Sequence, residues 1–131
     1  MNSEYAVYVV DGKIRAVCHY MCKPSTCRCK SGELAASGVQ PIALDTDVVN
    51  ELVTSLAAAE ETSSLTAYRA DFAIIKMTTS EDNTDEDEAW VTGLVEVNDG
   101  YVAGRYEDMP VPDYTDMMLS RFAALQATRH T

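Results

Sequence analysis

The apolar pattern from Glu4 to Val10, rich in Val and Tyr, predicts a strand. Asp11-Gly12 follows, the pair favoured in a two-residue hairpin turn because both central positions need positive φ. Lys13 to about Cys22 then reads as the returning strand. Residues 23–41 change to Cys, Pro, Ser and Gly, a loop composition. Asp45 or Thr46 suits a helix N-cap, and Asp47 in the first turn complements the helix dipole. Val48, Val49, Leu52, Val53 and Leu56 recur at helical spacing, so this helix is expected to run to about Glu60.

A second strand region spans Thr66 to Met77, with Tyr68, Ala70, Phe72 and Ile74 on one face and Arg69, Asp71, Ala73 and Ile75 on the other. An acidic loop, residues 78–89, links it to a strand over Ala89 to Val97, in which alternation puts Val91, Val95 and Val97 on one face. Short polar connections favour antiparallel pairing. A last helix is expected to start near Asp113, after two prolines, with Met118, Leu119, Phe122 and Leu125 as its buried stripe. The order is β-β-α-β-β-α. Residues 1–131 therefore read as one α+β domain, an antiparallel sheet of about four strands with helices on one face.

Composition narrows the partners. A chain of 131 residues with 47% hydrophobic positions can bury a core of its own. No run is long enough to span a bilayer and no secretory leader is present, so a cytoplasmic protein is expected. The net charge of −11 argues against a nucleic-acid partner. Six of the acids lie between Glu81 and Glu88, so the rest of the chain carries −11 + 6 = −5. A solvated acidic loop explains that run, which lacks the Gly and ligand spacing of an EF-hand.

Cys18, Cys22, Cys27 and Cys29 cluster around His19. Cys18 and Cys22 on one strand would stand about 13 Å apart, too far to share a tetrahedral zinc. Reduced thiols are the expectation. Zinc at Cys22, Cys27 and Cys29, with His19 as a fourth ligand, and disulfides are the alternatives.

The pattern's chemistry lies in the last hairpin. Paired strands would bring Arg69, Asp71, Glu96 and Asn98 to one sheet face. Pattern alone favours a solvated polar face. As a ligand set, two carboxylates and an amide oxygen suit Mg²⁺ or Mn²⁺ bound to phosphates and do not suit zinc.

The wording around these residues adds to this. Glu4-Tyr5-Ala6-Val7-Tyr8-Val9-Val10-Asp11-Gly12-Lys13 resembles the E-x-R-x-F-V-x-D-G-K strand of ATP-grasp enzymes. The segment Val95-Glu96-Val97-Asn98-Asp99-Gly100, continued to Gly104-Arg105-Tyr106, resembles their E-x-N segment and its downstream G-x-Y. The resemblance runs from Glu4 to about Ala124 and implies the C-terminal part of an ATP-grasp fold. It implies Mg²⁺-ATP as cofactor, a small carboxylate substrate phosphorylated to an acyl phosphate, and ligation to a nucleophile. Asp71, Glu96 and Asn98 would hold the metal. Glu4 and Arg105 would face the nucleotide. Ala6 stands where the family has an arginine, so Arg69, Arg15 or Arg105 would have to reach the phosphates. The chain starts where the second half of that fold starts. The resemblance therefore implies a module incomplete alone, completed by an upstream half, a second chain or a second copy. The competing expectation is a non-catalytic zinc- or partner-binding module that keeps only the half-fold.

Overall fold

The computed structural model describes residues 3–22, 43–78, 88–101 and 103–128. Strands β1 (Ser3–Val10), β2 (Lys13–Cys22), β3 (Ala67–Thr78) and β4 (Glu88–Asp99) form one sheet in the order β2-β1-β3-β4. Every neighbouring pair is antiparallel. Helix α1 (Thr46–Ala58) precedes a short 3-10 turn, Glu60–Thr62, and α2 (Val111–Thr128) ends the described chain. This is the expected α+β order. The stretches 23–42 and 79–87, with Cys27, Cys29 and most of the acidic run, lie outside the described residues.

Local chemistry accounts for the element ends. Asp11 and Gly12 take φ of 50° and 74°, the left-handed pair a tight hairpin requires. The Asp45 side chain accepts from the Asp47 N–H at 2.9 Å as the α1 N-cap. The Asp45 N–H itself donates to Thr92 Oγ1 at 2.9 Å, which ties the start of α1 to β4. Helix α2 starts at Val111, between Pro110 and Pro112, because proline is tolerated in a first turn that needs no N–H partner.

The core corrects one feature of the expected layout. Ala6, Tyr8, Val10, Cys18 and Ala67 pack with Ala103, Met109 and Met117, on the side of α2. Val7, Val9, Tyr68, Ala70 and Phe72 pack with Val49 and Val53 of α1. The helices thus cover opposite faces of the sheet, and β1 is sandwiched between them. That is why its residues are apolar in both phases, with Ala6 to Val9 wholly buried.

Helix α2 is also rotated from the expected stripe. Met117 is fully buried, whereas Leu119 and Phe122 are 64% and 46% exposed. Polar anchors set the rotation. Arg121 donates from Nε and Nη2 to both oxygens of Asp99 at 2.7 Å, and from Nη1 to the Ser64 carbonyl at 3.0 Å. Ser120 donates to Asp11 Oδ1 at 3.1 Å, and Arg15 bonds Asp113 and Asp116 at 2.8 and 2.6 Å.

The third correction concerns β4. Its register with β3 shifts between Asp71 and Phe72: Phe72 faces Leu94, but Asp71 faces Glu96, so Val95 is the extra residue of a β-bulge. Val97 pairs with Ala70 and Val91 with Ile75, which puts those two valines on opposite faces. As an edge strand β4 also leaves Leu94, Val95 and Val97 partly exposed and does not turn them fully to a helix.

Candidate functional site

The bulge decides which face the chemistry occupies. Had the Phe72–Leu94 register continued, Asp71 would face Val95, and Glu96 and Asn98 would fall opposite Ala70 and Tyr68 on the α1 side. One extra residue reverses the phase. Glu96 then pairs with Asp71 and Asn98 with Arg69, on the face that also carries Ala6 and Tyr8 of β1.

The four polar side chains meet as two i, i+2 pairs. Arg69 Nε donates to Asp71 Oδ1 at 2.9 Å and Nη2 to Oδ2 at 2.8 Å, a bidentate ion pair. Its side chains are 12% and 2% exposed, so the pair is largely withdrawn from water. On β4, Asn98 Nδ2 donates to Glu96 Oε1 at 3.1 Å at the exposed edge. The polar face is therefore graded, with a buried ion pair on β3 and solvated oxygen donors on β4.

Burial pushes the Asp71 carboxyl above the ordinary carboxylate value. The hydrogen bonds and charge of Arg69 oppose that shift, and Glu96 adds to it as a hydrogen-bonding partner and a like charge. Burial works against the Arg69 cation too, but its bonds to Asp71 and the Asp71 charge hold it above its ordinary value. The Arg69 guanidinium also lies 5.2 Å from the centre of the Tyr106 ring, a cation–π contact.

Tyr8 fixes that ring. Its hydroxyl donates to the Gly104 carbonyl at 2.6 Å and accepts from the Tyr106 N–H at 3.1 Å. Tyr114 donates to the Ala103 carbonyl at 3.0 Å, so the 103–106 segment is held from both the sheet and α2. Neither Tyr8 nor Tyr106 was among the candidate residues in the sequence. The signal for Tyr8 was its phase: it shares a face with Ala6, and its register partner is Arg69.

The other candidates are distributed as follows. Glu4 is 9% exposed and pairs with Ala73, on the Asp71 face but one residue pair beyond the cluster. Arg105 is exposed and donates from Nε to the Met109 carbonyl at 3.0 Å. Arg15 is committed to Asp113 and Asp116 of α2 and is not part of the Arg69–Asp71 cluster. His19 stacks on Tyr5 with ring centres 4.6 Å apart, and Cys18 is buried and outside any disulfide. The side chains of Cys22, Cys27 and Cys29 lie outside the described residues.

The donor chemistry of Asp71, Glu96 and Asn98 fits a hard divalent cation, since all three offer oxygen and the cluster has no thiol or imidazole. Among the described residues no three His, Cys, Asp or Glu side chains stand together as a ready-made metal cluster. Here the third oxygen ligand would be an amide, and Asp71 is engaged by Arg69.

The antiparallel α+β sheet thus carries oxygen donors and a largely withdrawn arginine on one face. The model of an ATP-grasp domain family, the second family of its clade, matches residues 1–117, and the chain belongs to that family. Membership makes it an ATP-binding, ligase-type module of a family that works with divalent metal and carboxylate substrates. No curated protein and no solved structure matches the chain. No described helix is long and apolar enough to cross a membrane.

Proposed function

We propose that this chain supplies the metal- and phosphate-binding sheet face of an ATP-dependent carboxylate ligase of the cytoplasm, working through an acyl phosphate. The observation that carries the reading is the register of Asp71 opposite Glu96, with Asn98 opposite Arg69 on the same face. Asp71, Glu96 and Asn98 are the residues that would hold Mg²⁺ or Mn²⁺. The ion, when bound, neutralises charge on the phosphates during transfer.

The chain's own residues do the positioning. Arg69 offers a planar pair of N–H donors that matches a phosphate as well as it matches a carboxylate. Tyr106 limits where the guanidinium can swing, and Tyr8 limits where Tyr106 can go. Glu4, one residue pair beyond the cluster, and Arg105 are the weaker nucleotide contacts of this reading. In the reaction, a substrate carboxylate oxygen attacks the γ-phosphorus and ADP leaves. An amine or other nucleophile then attacks the acyl carbon, and inorganic phosphate departs. The adenine-binding surface comes from elements outside this sheet, in a further segment, a second chain or a second copy.

Mn²⁺ binding, followed by electron paramagnetic resonance in the presence of ATP, tests the assignment. Glu96→Gln combined with Asn98→Ala is expected to abolish binding, and Arg15→Ala to leave it unchanged. Binding by the double variant equal to that of the unaltered protein would sink the site.

A further inference from the structure

The polar groups of the cluster are already engaged with one another. Arg69 occupies both oxygens of Asp71, at 2.9 and 2.8 Å, and Asn98 occupies Glu96 Oε1 at 3.1 Å. A guanidinium in a bidentate pair takes the inward lone pairs of a carboxylate, the ones a metal would use. It also keeps a positive charge where a second cation would have to come. With the Asp71 side chain 2% exposed, no other approach to that carboxylate is open to water.

From this we infer that Arg69 is an internal stand-in for the divalent cation, and that phosphate and metal bind this face cooperatively because phosphate draws Arg69 off Asp71. The inference rests on the proposed metal site and adds a coupling to it. A phosphate oxygen pair offers Arg69 the same bidentate geometry that Asp71 offers. Once the guanidinium turns to the anion, both Asp71 oxygens are released and the local positive charge falls. By linkage, whatever factor phosphate adds to metal affinity, metal adds to phosphate affinity. Tyr106, 5.2 Å from the guanidinium carbon, flanks Arg69 as it turns. The consequence is an order of events: a face that resists a bare divalent ion accepts it together with the phosphates it serves.

The test titrates Mn²⁺ alone, then Mn²⁺ with inorganic phosphate, at slightly alkaline pH, with free Mn²⁺ corrected for its weak complex with phosphate. The unaltered protein is expected to bind Mn²⁺ about tenfold more tightly when phosphate is present. Arg69→Met is expected to bind Mn²⁺ alone about tenfold more tightly than the unaltered protein, with a smaller further gain from phosphate. Equal or weaker Mn²⁺ binding by Arg69→Met, checked as folded by circular dichroism, overturns the coupling.

Should that variant not fold, ¹⁵N-labelled arginine side chains of the unaltered protein carry the test. Mg²⁺ with phosphate must shift the Arg69 Nε–H resonance, and Mg²⁺ binding without such a shift overturns the proposal. The Glu96→Gln, Asn98→Ala variant separates the two readings. Its loss of Mn²⁺ binding, combined with no gain in Arg69→Met, rejects the coupling while leaving the site intact.

Discussion

Tyr8 and Tyr68 offer a matched comparison, because the same substitution should have opposite effects at the two positions. Both are buried in the sheet, at 0% and 3% exposure. The Tyr8 hydroxyl donates to the Gly104 carbonyl and accepts from the Tyr106 N–H, at 2.6 and 3.1 Å. The Tyr68 hydroxyl is buried without a partner among the described residues. Tyr8→Phe removes two hydrogen bonds and strands two backbone groups, at about 1 kcal/mol each, so a loss of about 2 kcal/mol is expected. Tyr68→Phe removes a hydroxyl that is desolvated without compensation, so it should be neutral or stabilise by up to about 1 kcal/mol. The void left by one oxygen is common to both variants and cancels in the comparison. Urea unfolding reads the difference. With an m-value of about 1.5 kcal/mol/M, Tyr8→Phe should lower the midpoint by about 1.3 M at unchanged m, and Tyr68→Phe should leave it in place or raise it. A gap between the two variants below about 0.5 kcal/mol would refute the hydrogen-bond argument and remove the basis for Tyr8 as the residue that positions Tyr106 over Arg69.

Two further outcomes are expected. At Gly100 a Cβ would stand 2.7 Å from the Ala67 carbonyl oxygen and 2.9 Å from its carbon. This backbone cannot move without breaking the Gly100 N–H bond to the same oxygen, so Gly100→Ala should cost about 1–3 kcal/mol in thermal or urea unfolding. Gly104→Ala, whose Cβ would meet nothing within 4 Å, should lie within about 0.5 kcal/mol of the unaltered protein. The acid limb of stability should divide between two aspartates. Arg121 hydrogen bonds hold the Asp99 carboxyl below its ordinary value, so its stabilisation is present above the unfolded value of about 4 and is lost as pH falls through the folded one. Asp71, raised mainly by burial, has the opposite sign: the fold holds its proton more tightly, so stability falls as pH rises from the unfolded toward the folded value. Stability measured against pH should therefore lose less on acidification in Asp99→Asn and more in Asp71→Asn, and the reverse order would contradict both assignments.

How much of this was legible in the chain follows from which interactions have a sequence period. The hairpin at Asp11-Gly12, the α1 face and the i, i+2 sharing of Arg69 with Asp71 and of Glu96 with Asn98 all rest on local geometry, and each is present. The two-sided burial of β1 was also written in the unbroken run Ala6-Val7-Tyr8-Val9-Val10, since a strand with one wet face has no use for apolar residues in both phases. The rotation of α2 had no such signal. A stripe through Met118 and Phe122 is as periodic as one through Met117, and the choice is made by partners distant in sequence: Asp99 for Arg121, Arg15 for Asp113 and Asp116.

The bulge at Val95 is the most consequential feature that pattern could not supply. Valine marks no bulge, yet without it Glu96 and Asn98 would lie opposite Ala70 and Tyr68, in the layer packed by α1. Burying a carboxylate there, away from any cation, costs far more than an irregular ladder on an edge strand. The alternation that predicted one valine face and the pairing that predicted one polar face were therefore incompatible over the whole of β4. The structure keeps the polar pairing and gives up the valine face, and in doing so it brings two carboxylates into register beside a single guanidinium. Once Arg69 turns to a phosphate, both carboxylates are left without a cation, which is the physical reason to look for a divalent metal at Asp71, Glu96 and Asn98 only when phosphate is there too.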